Sequence, residues 1–342
     1  MRTFLILFSL ALVTLAGCER PASVQQKESY VFGTRVEVLV ADRDEAKGQA
    51  AIAAVLGEFD RMHRTYHAWQ PSELYTLNAN IAAGETAQVT PEMAAFIREA
   101  QELSRRGDYL FDPGIGRLIA LWGFQSDEFK AQLPDPTAVD TWLKSKPSIA
   151  DLQVDGVTVS SRKRMVALDF GGYLKGVALD RAAEILRRQG INNALINIGG
   201  NVMALGSKHG KKWKVGIQHP RQAGPLAALE LNDGDAVGTS GDYQRFFELD
   251  SKRYPHLLDP RTGQPASHTR AITIVIPGGA KSGTLSDALS KPIFIAGAEQ
   301  WWNIAKKLGV TQALRVDADG KIQISAALKQ RLESKETMEE VQ

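Results

Sequence analysis

MVALDFGGYLKGVALDRAAEILRRQGINNALINIGGNVMAL, residues 165–205, decides how this chain folds. Met165–Phe170 reads as a strand. Gly171 and Gly172 then turn the chain toward a helix over Gly176–Gln189, and Gly190 ends that helix with a residue free to adopt a left-handed backbone. Two apolar runs follow, Ala194–Ile198 and Val202–Leu205, separated only by the Gly199-Gly200 turn. One helix followed by strand upon strand predicts an α+β protein, not a regular alternation of strand and helix.

The same pattern extends outward. Downstream, Trp213–Gln218, Leu226–Leu231, Ala236–Thr239, Gln244–Leu249 and Ala271–Ile276 read as strands. Helices near Leu285–Ala296 and Glu299–Leu308 come next, then a hairpin of Gln312–Asp317 and Lys321–Ser325 about Asp319-Gly320. Upstream, Tyr30–Ala41 alternates apolar and polar residues as one strand, and Asp44–Tyr66 is an alanine-rich helix. Thr90-Pro91 caps and opens a further helix that Gly107 closes. Gln125–Lys146 reads as a loop with short helical turns, and Leu152–Val159 as strand broken by Asp155-Gly156. The sequence divides into an export signal (1–17), a tether (18–29), a folded body (30–330) and a charged, frayed tail (331–342).

The amino terminus, MRTFLILFSLALVTLAGCER, has one early positive charge, a compact apolar run and small residues before Cys18. That is a cleavable export signal rather than a membrane-spanning helix. Its Leu-Ala-Gly-Cys ending resembles a bacterial lipobox, which implies a lipid on Cys18. The expected location is the bacterial cell envelope, facing the periplasm, with Glu19 leaning toward the outer membrane. As the sole cysteine, Cys18 leaves no disulfide framework and no cysteine-based zinc site. The 41 basic and 39 acidic side chains nearly cancel, so nothing in the charge points to nucleic acid.

Four segments carry residues suited to chemistry. Thr65–Leu74 sets Tyr66 beside a Ser-Glu turn, where an aromatic can stack on a ring; its plain alternative is a helix exit with Ser72 capping the next helix. Phe111-Asp112-Pro113-Gly114-Ile115-Gly116 lets backbone approach a ligand, or is an ordinary Pro-Gly turn. Asp169–Gly176 offers glycines and Lys175 at a helix N-terminus, which favours phosphate, although it matches neither common nucleotide fingerprint. Gly238–Tyr243, then Tyr254–Gly263, contains His256, suited to act as a general acid or base near neutral pH, or else a structural histidine. Further on, Asp287 reads as a ligand for a hard cation or as a carboxylate of a helix's first turn.

In this order, from Val31-Phe32-Gly33-Thr34 to Ala288-Leu289-Ser290, the segments resemble the ApbE family, the FAD:protein FMN transferases. The resemblance implies a T-fold-related core with a mixed or antiparallel sheet and packed helices. It also implies transfer of FMN from FAD to a Thr or Ser hydroxyl of an exported protein, with AMP released and Mg²⁺ as cofactor. Phe32, Tyr66, Leu110, Phe111, Asp112 and the backbone at Leu257 would line the flavin and adenine pocket. Asp169 would bind FAD, Lys175 would face the pyrophosphate, and His256 would be the base. Asp287 would hold Mg²⁺ with the backbone near Gly172 and with Thr284. The acceptors implied are exported subunits of Rnf- or Nqr-type redox complexes, membrane-bound like the lipid anchor. One departure stands out: many members continue the Asp-Ala-Leu-Ser motif with Thr-Ala, where this chain has Lys291-Pro292. A protonated lysine cannot ligate a metal. FAD hydrolysis to FMN and AMP, and FAD binding without turnover, are the alternatives to transfer. An exported solute-binding protein is disfavoured because the chain shows no two matching α/β halves.

Overall fold

The computed structural model describes residues 24–126, 128 and 130–341. The export signal, Cys18 and the start of the tether lie outside the described residues. The body is built on a nine-stranded sheet whose spatial order is its chain order. Its strands are β1 (Val24–Val31), β2 (Thr34–Ala41), β3 (Ala194–Ile198), β4 (Asn201–Leu205), β5 (Ala236–Gly241), β6 (Thr269–Ile276), β7 (Ala313–Asp317), β8 (Ile322–Ser325) and β9 (Glu339–Val341). Each neighbouring pair is antiparallel except the last, where β9 lies parallel to β8.

Strand alternation sends successive side chains to opposite faces. Val36, Val38 and Val40 of β2, with Ile272 and Ile274 of β6, face a helical layer made by α1 (Glu45–Thr65), α2 (Glu73–Ala83), α3 (Pro91–Arg106), α6 (Leu174–Arg188), α7 (Ser282–Ile295) and α8 (Trp301–Lys307). The shorter α4 (Gly116–Leu121) and α5 (Pro136–Ser145) belong to a satellite cluster around Trp122, Phe124, Trp142 and Phe247. On the other face of the sheet, Ala204, Ala271, Val275 and Leu314 pack beneath a three-stranded sheet of Trp213–Gln218, Pro225–Leu231 and Leu332–Glu333. The fold is therefore α+β with a mostly antiparallel sheet, as expected.

Helix ends follow the local sequence. Asp44, Ser72 and Thr90 each accept a backbone N–H from the first turn of α1, α2 and α3. Ser72 thus takes the plainer of its two readings. Helix α7 is buried at every residue except Leu285, so it is the central rod of the helical layer.

Three local expectations fail. Tyr30–Ala41 is not one strand: Phe32 and Gly33, both at positive φ, turn β1 into β2, and β1 begins at Val24. The residues read as the end of the tether are therefore an edge strand, paired from Val24 to Val31. Met165–Phe170 joins no named sheet: Met165 lies in a turn, and Ala167 makes only an isolated parallel bridge with Ile115. The segment's backbone is satisfied instead by the Asn78 side chain at Leu168 and by the carbonyls of Pro113 and Gly114. The tail is also ordered. Leu332–Glu333 pairs with Pro225–Leu231, and Glu339–Val341 closes the main sheet. Its charged residues hide the strand signal because an edge strand exposes a polar side.

Candidate functional site

A cavity of about 670 Å³ opens where the N-terminus of α6 meets α7 and the segments around Leu110–Ile115 and Tyr243–Leu258. Phe32, Tyr66, Leu110, Phe111, Asp112, Asp169, Gly172, Lys175, His256 and Leu257 all line it. Four segments distant in sequence thus converge on one cleft. Asp287 and Thr284 do not line it; both are buried, and Lys291 stands at the wall instead.

The aromatic residues have different surroundings. Phe32 occupies the two-residue turn with φ +57°, a backbone that side chains with a Cβ adopt at a cost. That placement sets its ring against Phe59 and His63, each at 5.9 Å between centroids. His63, His67 and Trp69 continue the row along the rim, at 5.0 and 4.8 Å. Tyr66 is stacked on Phe96 at 4.4 Å, so one ring face is already covered. Its hydroxyl is buried without a hydrogen-bond partner among the described residues, and burial pushes its pKa well up.

The two early carboxylates hold loops. Asp112 Oδ1 accepts the N–H groups of Gly114 (2.7 Å) and Ile149 (2.9 Å). Asp169 Oδ1 accepts the Gly171 N–H at 2.8 Å and so shapes the turn into α6. Burial raises the pKa of both acids.

His256 is fixed from one side. Its Nδ1 lies 3.0 Å from the Arg245 carbonyl oxygen, which only accepts, so Nδ1 carries the hydrogen and Nε2 the lone pair. Arg245 in turn donates to the carbonyls of Phe124 and Ser126. Burial, with Arg245, Lys175 and Lys291 nearby, pushes the imidazole down to about 3. It is neutral at physiological pH.

The crossing of α6 and α7 forms the floor. A Cβ on Gly176 would stand 2.4 Å from the Gly283 carbonyl oxygen and 2.6 Å from Asp287 Cβ, so only glycine lets the helices meet. Gly238 of β5 does the same beneath α7, since a Cβ there would meet the Ser286 carbonyl at 2.0 Å. At the crossing, Asp287 Oδ2 accepts the Gly176 N–H at 2.9 Å. Its Oδ1 is ion-paired with Lys291, whose Nζ also donates to the Asp287 carbonyl at 2.9 Å. Burial raises the Asp287 carboxyl, but Lys291, Lys175 and the Gly176 N–H more than offset this and hold it below the usual range. Burial and Lys175 push Lys291 down to about 8 against the pull of Asp287.

These donors do not fit a divalent cation in the way expected. Both Asp287 oxygens are engaged, one by a backbone N–H and one by an ammonium. The Thr284 hydroxyl donates to Asp180 Oδ2 at 2.6 Å, and the same carboxylate takes the N–H groups of Gly283 and Thr284 at 2.8 Å each. Among the described residues no group of three or more His, Cys, Asp or Glu is placed to hold a metal.

Sequence reasoning passed over Asp180, Arg245, His63 and the Arg221–Asp242 pair, in which the guanidinium grips the buried Asp242 of the Gly238–Tyr243 segment from 2.5 and 2.7 Å. Asp180 is one carboxylate among many on an amphipathic helix. No local signal marks it, because its partners come from a segment about a hundred residues away.

Residues 32–314 match the sequence pattern of the ApbE family. The chain is 37% identical over 95% of its length to a protein from Rhodobacter capsulatus named FAD:protein FMN transferase, and spans 62% of that protein's length. It is 28% identical over 95% of its length to the protein of the same name from Haemophilus influenzae, covering 96% of that chain. Its fold is similar to the crystal structure of the ApbE protein of Thermotoga maritima, with a TM-score of 0.82 and 29% identity over 90% of this chain and 99% of the other.

Proposed function

Because the chain belongs to the ApbE family, we propose that it transfers FMN from FAD to a Thr or Ser hydroxyl of an exported protein and releases AMP. Flavin transfer to protein follows from the family and from relatives that carry that name. The finer reading rests on one observation: a neutral His256 with its Nε2 lone pair free faces the same cleft as Lys175 and Lys291.

Phosphoryl transfer needs in-line positioning and charge neutralisation more than covalent help. Phe32, Leu110, Phe111 and Leu257 provide apolar walls for the two ring systems, and Tyr66 offers a hydroxyl that has no partner among the described residues. Asp169 holds the turn that presents the α6 N-terminus, where Lys175 meets the diphosphate. His256 takes the proton from the acceptor hydroxyl. The acceptor oxygen then bonds to the FMN phosphorus as the bond from that phosphorus to the bridging oxygen breaks, and AMP departs with that oxygen. Burial depresses His256 most, and the three cations add to it; the incoming diphosphate opposes those cations and so lifts part of the depression.

No step is assigned to Mg²⁺, since the donors around Asp287 do not fit it. The lipobox reading places a lipid on Cys18 and the cleft on the periplasmic side of the envelope, within reach of membrane-bound acceptors such as Rnf- or Nqr-type subunits.

The test is incubation of the exported protein with FAD and such a subunit. Flavin fluorescence on the acceptor after denaturing electrophoresis, with one AMP per flavin, is the expected result. Free FMN and AMP with no labelled acceptor would replace transfer with hydrolysis. His256→Ala is expected to lower AMP release by about 10²–10⁴-fold while leaving FAD binding intact; unchanged turnover removes His256 as the base.

A further inference from the structure

We propose that Lys291 is the resident cation of this site: its ammonium stands where a divalent metal beside Asp287 would, and it makes the transfer independent of metal. The inference rests on the flavin-transfer reading of the cleft. Three geometric facts carry it. Lys291 lies one helical turn after Asp287 on the buried α7, and its Nζ is held by both Asp287 Oδ1 and the Asp287 carbonyl oxygen. A carboxylate oxygen and a main-chain carbonyl oxygen are the ligand types a hard cation takes. An ammonium has three N–H groups, and these contacts account for two, leaving the third without a partner among the described residues. Lys291 lines the cavity, and its Cε would lie 3.9 Å from a Cβ on Gly172, at the turn leading to Lys175.

The position is built, not accidental. Ser290 donates to the same Asp287 carbonyl at 2.7 Å and shares a hydrogen bond of 2.8 Å with Ser240 of β5, fixing the helix beneath the ammonium. The Asp287 carboxylate is itself anchored by the Gly176 N–H. A positive charge here is covalently attached and cannot be chelated. In the transfer step no atom of Lys291 is exchanged. Its third N–H donates to a non-bridging diphosphate oxygen while the acceptor oxygen bonds to the FMN phosphorus and AMP leaves. Negative charge growing on the leaving phosphate meets Lys291 on one side and Lys175 on the other.

The experiment uses the whole protein stripped with a chelator and assayed with FAD and acceptor, with and without added Mg²⁺. Stripped wild type is expected to keep its transfer rate within about twofold, and Lys291→Met to bind FAD but transfer about 10²–10³-fold more slowly. Lys291→Thr should recover transfer only when Mg²⁺ is present. Mn²⁺ titration followed by electron paramagnetic resonance reads the site without catalysis: no tight site in wild type, one in Lys291→Thr. Wild type that is inactive when stripped and revived by Mg²⁺, or a folded Lys291→Met of full activity, overturns the assignment and leaves the flavin-transfer reading standing. Wild type that binds FAD but shows no turnover with or without Mg²⁺ removes that reading, and this inference with it.

Discussion

Helices α6 and α7 cap each other with a carboxylate at each end of their crossing, and the two ends have been put to different use. At the closed end, Asp180 of α6 accepts three hydrogen bonds from the first turn of α7, through Gly283, Thr284 and the Thr284 hydroxyl. Both its oxygens are satisfied by neutral donors. At the cleft end, Asp287 of α7 gives one oxygen to the Gly176 N–H of α6 and the other to Lys291. The same device, an acid on a helix N-terminus, therefore serves packing alone in one place. In the other it also fixes a charged group at a cavity wall. A buried carboxylate becomes chemically useful when its second oxygen is left for something other than backbone.

The sharpest way to break this comparison is Asp287→Ala. Removing one partner of a buried ion pair is expected to cost about 3–5 kcal/mol in urea unfolding and to slow flavin transfer by about 10²–10³-fold. Transfer at the wild-type rate by folded protein would reduce the cleft end to packing. Next comes Gly176→Ala, which forces the crossing apart at the point both ends share. Overpacking here should lower stability by about 1–3 kcal/mol and impair transfer in the surviving fold. Asp180→Ala is expected to cost about 1–2 kcal/mol, as the loss of a helix cap does, with transfer kept within a few-fold below the melting temperature. A loss of transfer as deep as that of Asp287→Ala would show that the ends are equivalent.

The last comparison is a pH dependence of stability centred on His256 in the cleft. His256 is held at about 3 in the folded protein against 6.5 for a free imidazole. Below 6.5 the unfolded chain binds a proton that the folded chain refuses, so stability is fully present above that pH and declines as pH falls toward 3. His256→Asn should flatten part of this slope in unfolding curves. A remainder is expected from His268, which burial also lowers. An unchanged slope would show that His256 is solvated in the free protein.

How much of this was legible in the sequence depended on the range of the forces involved. Caps were readable: Ser72 and Thr90 each act within three residues of themselves. Most strands from Ala194 to Ile276 were readable as short apolar runs bounded by turns, but Lys252–Pro255, Leu258–Asp259 and Gln264–Pro265 were not. Met165–Phe170 misled, since its apolar alternation is real but its hydrogen bonds go to Asn78 and to the Pro113 loop instead of a strand. The tail misled in the opposite sense, because edge strands carry charge. His256, Asp169 and Lys175 were singled out by residue type, and all three line the cavity. Asp112 lines the cavity as expected, yet its Oδ1 is held by the N–H groups of Gly114 and Ile149.

The sequence by itself determined the α+β class, most helix ends, the order of the site segments, and that a lysine stands one turn after Asp287. Those properties depend on neighbours along the chain. Only the tertiary structure decided that Asp180 and Asp287 cap each other's helices. It alone showed that Arg245 sets the His256 tautomer, and that the ammonium of Lys291 sits against the Asp287 carboxylate at the cavity wall. Each of these depends on a distance between segments far apart in the chain, and such distances exist only once the core has packed.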